Sequence, residues 1–191
     1  GIPRPGGEPV LLDFATSRIA MGKVRVAMNK GEKVKPDTLL DHRGEPTDNP
    51  SVLFVEPTGA LLPFGEHKGF GLAVVCELLG GALSGGMTLH RKPASRAIIN
   101  NMLSIIIDPN RLGTAANLSA ETAEFVEWVR QSPVAQGVER IRIAGEPERD
   151  SRHRRGAAGI PVDTTTWNEI VAAGESLGLK RPDLERLAQI A

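Results

Sequence analysis

The sequence predicts an α+β fold, with a mixed or antiparallel sheet flanked by helices and a small helical subdomain. Three observations support this class. Short β-branched runs and longer helical patterns follow one another too irregularly for a doubly wound sheet. Glycine and proline are frequent, 21 and 14 in 191 residues, which indicates many tight loops. Helical patterns close the chain, so we expect a sheet-containing domain over residues 1–145 and a helical segment over residues 146–191.

The first part of the chain predicts one buried strand and several short elements. Residues 9–15 form a compact apolar run with Asp13 as its only charge, typical of a buried strand. Residues 19–29 mix apolar and basic side chains and fit either a short helix or a second strand. Residues 31–50, interrupted by prolines and a glycine, predict a polar loop. A short apolar segment, 51–55, leads into a turn at 56–59.

The middle of the chain predicts a buried helix followed by a strand. Residues 69–83 are apolar on most faces, and Gly80 and Gly81 either loosen this helix or let another backbone approach closely. Residues 98–107 are rich in β-branched side chains and end at Asp108 and Pro109, as expected of a strand.

The last part of the chain predicts several helices and one strand. Ser119 is a candidate cap for a helix running to Gln131, with Phe125 and Trp128 facing the core. Residues 138–144 alternate as a half-buried strand does. Two or three short helices then close the chain: one with Pro147 in its first turn and Gly156 as its C-cap, one after Asp163 that holds Trp167 and Ile170, and one after Pro182.

Composition narrows the classes of partner. Basic and acidic residues balance at 23 each, so no net field favours nucleic acid or an anionic membrane. The longest apolar window, residues 72–83, is too short to span a bilayer and contains Glu77. Cys76 is the only cysteine, which excludes an intrachain disulfide and fits a cytoplasmic protein. We expect Cys76 to be a core residue. The histidines lack partners at metal-ligand spacing, so we predict no metal.

The glycine-rich turn before the middle helix is a candidate anion site. His67 and Lys68 lie between Gly65 and Gly69, directly before a predicted helix. Glycines let backbone amides approach an anion, a helix N-terminus attracts negative charge, and Lys68 adds a point charge. The alternative is a solvent-exposed basic turn, since the spacing matches neither a Walker A loop nor a dinucleotide fingerprint.

Three further segments combine groups that could bind a nucleotide. Residues 11–16 end a predicted strand in small and hydroxyl side chains, which suits a ribose or a pyrophosphate; the alternative is an ordinary buried strand. Asn100 can read a carboxamide or satisfy a nearby loop. The turn at 145–148 carries carboxylates that can accept ribose hydroxyls, or that only cap a helix.

These blocks, in this order and at these separations, resemble the malate/L-lactate dehydrogenase family, which lacks a Rossmann fold. The blocks are Leu11-Leu12-Asp13-Phe14-Ala15-Thr16-Ser17, Met21-Gly22-Lys23, residues 41–50, residues 65–71 and Gly145-Glu146-Pro147-Glu148. Family members transfer a hydride between a nicotinamide cofactor and a small 2-hydroxy or 2-oxo acid. Ala144 stands where the family commonly has a proline.

The resemblance implies which residues contact the cofactor, NAD with NADP as the alternative. They are Leu11, Leu12, Asp13, Phe14, Ala15, Thr16, His67, Lys68, Asn100, Gly145, Glu146, Pro147 and Glu148. The carboxylates of Glu146 and Glu148 favour NADH, because they would repel a 2′-phosphate. The resemblance also implies a homodimer, a 2-hydroxy or 2-oxo acid substrate such as malate, lactate or an aryl-pyruvate, and neither nucleic acid nor membrane as partner.

The resemblance covers nearly the whole chain but only about the C-terminal half of the family pattern. We therefore expect the family's N-terminal helices, which carry a catalytic histidine and a carboxylate-binding arginine, to lie outside this sequence and to pack with residues 146–191. No catalytic residue is assigned here, and His67 is the on-chain candidate for a proton donor. Two alternatives stay open: a non-catalytic nucleotide-binding or interaction fragment, and a reductase of cyclic imino acids or diketo acids.

Overall fold

The computed structural model describes residues 1–91 and 99–188, which form two compact units, each built from two chain segments. One unit contains residues 15–103 and 161–191, and the other contains residues 1–14 and 104–160. The α-helices of the described residues are α1 (Met21–Lys30), α2 (His67–Cys76), α3 (Ala115–Arg130), α4 (Glu146–Ala158), α5 (Thr164–Ser176) and α6 (Arg181–Ala188). The strands are β1 (Leu39–Leu40), β2 (Pro46–Thr47) and β3 (Ala60–Leu61).

A small antiparallel sheet organises the unit that contains residues 15–103. The strand order is β2-β1-β3, and Leu39 of β1 is paired with Thr47 on one side and Leu61 on the other. Asp41 closes the β1–β2 turn by accepting hydrogen bonds from the amides of Arg43 (2.8 Å) and Glu45 (2.9 Å). The expected polar loop at 31–50 is thus wrong in part, because two short strands lie within it.

Helix α1 supplies the core of this unit. Val24 and Ala27, three residues apart on one helix face, are buried with Val34 and Leu39. The helix ends at Gly31, whose left-handed backbone (φ 68°) lets its amide donate to the carbonyls of the last turn. A 3₁₀ helix at Pro50–Leu53 covers the cluster with Val52 and Leu53. Of the two alternatives for residues 19–29, the helix is confirmed.

Helix α2 continues as a π-helix over Glu77–Leu83, which confirms the predicted helix over residues 69–83. Gly81 serves close approach, because a Cβ there would lie 2.8 Å from the carbonyl oxygen of Met87, whereas a Cβ on Gly80 would come no nearer than 4.0 Å to the Asn101 oxygen. The expected burial is wrong: Phe70 and Leu83 are 62% and 67% exposed. Within the described residues, little of this chain packs over the apolar side chains of the helix.

Three predicted strands are wrong, and each for the same reason. Residues 9–15, 99–107 and 138–144 contain no ladder beyond an isolated bridge between Ile2 and Val10. β-branched composition favours extended backbone, but a strand also needs a neighbour for its amides and carbonyls. Within the described residues these runs find too few such partners for a ladder: the Leu11 amide donates to the Ala144 carbonyl, whereas Ile106 is 93% exposed. Residue 98 lies outside the described residues.

The helices of the chain's last third are confirmed, with corrected ends. Helix α3 begins at Ala115 instead of Ser119, and its buried residue is Val126. Phe125 and Trp128, expected in the core, are exposed and contact each other with ring centroids 5.8 Å apart. Helix α4 runs through Gly156 to Ala158. Helix α5 follows Asp163, whose carboxylate accepts from the Thr166 amide at 2.9 Å, and α6 begins at Arg181.

The architecture is therefore the predicted α+β class, with a small antiparallel sheet and six α-helices in the described residues. The division into residues 1–145 and 146–191 rests on the expected packing of the last helices, and it stays a prediction. No helix in residues 1–91 and 99–188 is long and apolar enough to cross a membrane.

Candidate functional site

The glycine-rich turn at residues 65–69 folds directly into α2. Gly65 and Glu66 both adopt positive φ, 52° and 55°, and Glu66 occupies the N-cap position. Positive φ costs energy for a residue with a Cβ, so the turn is held by its surroundings. The Lys68 amide donates to the Gly65 carbonyl at 3.1 Å, and the Gly69 amide donates to the Phe64 carbonyl at 3.0 Å. These bonds fix the direction in which α2 starts.

The start of α2 lies against residues 16–18. The Phe64 amide donates to the Thr16 carbonyl at 3.0 Å, and the Arg18 amide donates to the Leu62 carbonyl at 2.8 Å. A Cβ on Gly69 would lie 2.3 Å from the Phe64 oxygen and 2.8 Å from the Thr16 oxygen, which is closer than real Cβ atoms come. Gly69 is therefore required by space. The structure thus brings Thr16 to the turn that carries His67 and Lys68.

His67 and Lys68 are exposed residues of the first turn of α2. The helix dipole makes this end partly positive, although the amides of Lys68, Gly69 and Phe70 already donate to the carbonyls of Gly65, Phe64 and Glu66. Lys68 adds a full charge and His67 a ring N–H donor at this end. Such a set suits a phosphate or a carboxylate, and its exposure leaves room for a ligand.

Asn100 lines a cavity of about 440 Å³ further along the same helix. The other residues that line this cavity include Cys76, Glu77 and Thr88. A neighbouring cavity of about 560 Å³ shares these three and adds Thr16 and His90. The expectation that Cys76 is a core residue is wrong, because Cys76 is exposed and lines both cavities. The cause is the uncovered surface of the helix that carries it.

The other unit brings residues 11–13 to the turn at 145–148. The Leu11 amide donates to the Ala144 carbonyl at 3.0 Å, and Leu11, Leu12 and Asp13 line a cavity of about 190 Å³ with Gly145, Pro147 and Glu148. Gly145 has φ 96°, and a Cβ there would lie 3.0 Å from Leu11 Cβ. Backbone conformation and space both demand glycine at this turn.

The carboxylate of Glu146 is held by protein groups. Its Oε1 lies 2.6 Å from Arg130 Nη2, and its Oε2 accepts from the Ile143 amide at 3.0 Å and lies 3.8 Å from Arg140 Nη1. Burial acts to raise the pKa of Glu146, but the Ile143 amide and the two guanidinium groups outweigh it and lower that pKa. The hydrogen bond that Arg130 donates to Glu146 raises the pKa of Arg130 in turn. Glu146 thereby ties the start of α4 to α3.

Glu148, in contrast, is exposed and faces the cavity with Asp13 and Arg142. Sequence reasoning missed Arg142, which is also 3.6 Å from the Asp150 carboxylate. The signal was present, because Arg142 is the polar position between two isoleucines in the alternating run 138–144. Arg130 carried no comparable signal, since its partner Glu146 lies sixteen residues away.

The predicted cofactor contacts thus fall into two groups, one in each unit. Leu11, Leu12, Asp13 and Phe14 belong with Gly145, Glu146, Pro147 and Glu148, whereas Ala15, Thr16, His67, Lys68 and Asn100 belong to the other unit. Their roles toward a cofactor stay predictions. Over residues 1–91 and 99–188, no three His, Cys, Asp or Glu side chains are grouped so that they could hold a metal ion.

Comparison with known proteins identifies the family of the chain. The malate/L-lactate dehydrogenase family model matches residues 1–171. Hydroxycarboxylate dehydrogenase B from Escherichia coli is 45% identical over 98% of this chain and 52% of its own length. The structure of an E. coli protein of the malate/lactate dehydrogenase type superposes with a TM-score of 0.81 at 41% identity, covering 98% of this chain and 52% of that one.

A second solved structure carries a different substrate class in its name. The Δ1-piperideine-2-carboxylate reductase from Pseudomonas syringae superposes with a TM-score of 0.66 at 32% identity, covering 87% of this chain and 49% of that one. The chain spans about half the length of the relatives that it matches. By the match over residues 1–171, the chain belongs to the malate/L-lactate dehydrogenase family.

Proposed function

We propose that this chain is the nicotinamide-cofactor-binding portion of an oxidoreductase that transfers a hydride between NAD(P) and C2 of a small 2-hydroxy or 2-oxo acid. Family membership supports the reaction class. The observation that carries the binding role is the packing of Gly69 against the Thr16 and Phe64 carbonyls, which sets Lys68 at the start of α2.

The residues present fit the phosphate part of a dinucleotide. The positive end of the dipole of a ten-residue helix lies here, and Lys68 and His67 add a charge and a donor in the same turn. When bound, the nicotinamide supplies the hydride chemistry. The chain's own groups orient the phosphates at this turn, and Asn100 offers an amide that can pair with a carboxamide.

The cavity beside Gly145 is proposed separately as a site for a ribose. Glu148 and Asp13 are carboxylates that can accept hydroxyl protons there, and their charge opposes a 2′-phosphate, which favours NADH over NADPH. Arg142 at the same cavity acts in the opposite direction. In a Glu148→Gln variant, the dissociation constant of NADPH divided by that of NADH is expected to fall, because the repelling charge is gone. An unchanged ratio would remove Glu148 from this role.

The Lys68→Ala variant tests the phosphate role by calorimetric titration with NADH. A charge-assisted hydrogen bond contributes about 1.5–3 kcal/mol, so the dissociation constant should rise about 10- to 150-fold. Lys180→Ala is the matched control, because Lys180 is an exposed lysine outside the family match. Equal affinity of the Lys68→Ala variant and the unchanged chain would refute the site.

An imino-acid reductase is the second candidate function, since the P. syringae reductase resembles this chain at 32% identity. The two functions share the cofactor residues and differ in the substrate. The assay measures NADH oxidation by the whole enzyme, first with pyruvate, oxaloacetate and an aryl-pyruvate, and then with Δ1-piperideine-2-carboxylate. Turnover of the 2-oxo acids supports the first function, and turnover of the cyclic imine supports the second.

We also propose that the enzyme is a cytoplasmic homodimer. The single cysteine supports a reducing compartment. Light scattering coupled to size exclusion measures the oligomeric state, and a monomer at micromolar concentration would refute the dimer.

A further inference from the structure

The helix formed by residues 67–83, α2 with its π-helical continuation, is apolar and largely uncovered. Phe70 is 62% exposed, Val75 49%, Leu78 53% and Leu83 67%. The residues buried on this helix are Gly69 and Gly81, which have no side chains to contribute. The burial of apolar surface, which is the main source of stabilisation for a helix of this composition, is therefore largely missing here.

The exposed apolar side chains do not form one narrow stripe. At about 100° per residue, Phe70, Leu72, Val74 and Val75 spread over roughly 200° of the circumference of α2. All four are among the exposed large hydrophobic residues. A helix that is hydrophobic around most of its circumference is typical of a position enclosed on several sides by protein.

The comparisons indicate how much protein is available to enclose it. This chain aligns over 98% of its length with hydroxycarboxylate dehydrogenase B, but over only 52% of that protein. The superposed E. coli structure repeats this proportion, 98% against 52%. About half of each relative thus has no counterpart in this chain.

We propose that the exposed apolar surface of helix 67–83 is the docking surface for the part of the family fold that this chain does not span. A second copy of this chain fits the surface less well, because a two-fold contact covers one face of a helix, while the apolar residues extend over more than half of the circumference. A lipid surface also contacts one face and favours several basic flanking residues, whereas Lys68 is the only lysine or arginine in residues 67–83.

The test uses the 191-residue chain and, as probe, the portion of E. coli hydroxycarboxylate dehydrogenase B outside the match. Cys76 is the chain's only cysteine and lies exposed on this helix, so the rate of its reaction with a thiol reagent reports coverage directly. We expect a 1:1 complex by native mass spectrometry and labelling of Cys76 slowed at least about tenfold, since a packed surface excludes the reagent. Fluorescence of a dye that binds apolar surface should fall in the same mixture.

A Val75→Asp variant should weaken the complex about 10- to 100-fold, the equivalent of losing one buried aliphatic side chain. Val55→Asp is the matched control, because Val55 is also exposed, at 60%, but lies outside helix 67–83, and it should bind the probe normally. Circular dichroism of each variant alone checks that the chain still folds.

Four outcomes would overturn the proposal: no complex, a complex that Val75→Asp leaves intact, labelling of Cys76 that slows with the concentration of this chain alone, or labelling that slows on anionic phospholipid vesicles. The third would assign the surface to a second copy and the fourth to a lipid surface. No nucleotide is present in the experiment, so its failure is independent of the proposed cofactor site.

Discussion

Replacing Glu146 by Gln tests whether the ion-paired carboxylate at the start of α4 stabilises the chain. Glu146 is 8% exposed, and its oxygens meet the Ile143 amide at 3.0 Å and Arg130 at 2.6 Å. Glutamine keeps the shape and one acceptor oxygen, but it loses the charge and turns an NH₂ group toward a guanidinium.

The expected loss in the free energy of unfolding is about 1–3 kcal/mol. Hydrogen bonds to charged groups contribute about 1.5–3 kcal/mol each, and breaking a fully buried ion pair costs about 3–5 kcal/mol. The Arg130 side chain is 32% exposed, so water screens the pair and the lower range applies. Glu148→Gln is the matched control: the residue is exposed in the same turn, and its substitution should cost less than about 0.5 kcal/mol.

The effect should also depend on pH. The pKa of Glu146 is lower in the folded chain than its ordinary value of 4.5, so its stabilisation is present above that value and is lost as the pH falls through the folded pKa. Urea unfolding of both variants at neutral pH and at stepwise lower pH measures this. The reasoning is refuted if both variants unfold alike at neutral pH, or if the deficit of Glu146→Gln persists unchanged below the folded pKa.

Two further substitutions have matched controls within their own helices. Gly69→Ala should lower the free energy of unfolding by more than about 1 kcal/mol, because its Cβ would lie 2.3 Å from the Phe64 oxygen. Gly71→Ala is the control: the new methyl group would have open space around it, so the free energy of unfolding should rise by about 0.4–1 kcal/mol. Urea unfolding that ranks them in the reverse order would contradict the turn geometry. Asp163→Ala should lower the melting temperature, because the carboxylate accepts from the Thr166 amide and hydroxyl. The hydrogen bond from the Thr166 amide lowers the pKa of Asp163, so this loss should fade as the pH falls through the folded pKa. Glu169→Ala in the same helix should leave the melting temperature nearly unchanged, and equal shifts for the two variants would argue against the cap.

Local signals in the sequence determined the helices and the turns that carry the candidate site. Such signals act between residues a few positions apart: Asp163 ahead of a helix, Pro147 in a first turn and the glycines at the start of α2. The structure confirms the helices that they predict. The order and spacing of the family blocks likewise needed no coordinates, since the family match covers the same segments.

The tertiary structure decided burial, strand pairing and charge pairing. The apolar runs at 9–15 and 99–107 favour strands, yet pairing requires a neighbour that their own residues cannot supply. The face that a helix buries depends on what lies beside it, so α3 buries Val126 and exposes Phe125. Glu146 could be read from the sequence as a ribose acceptor, but its distance to Arg130 shows that folding joins it to a residue sixteen positions away. Contacts over such separations are set by the packing of whole elements, which the spacing of residues along the chain does not encode.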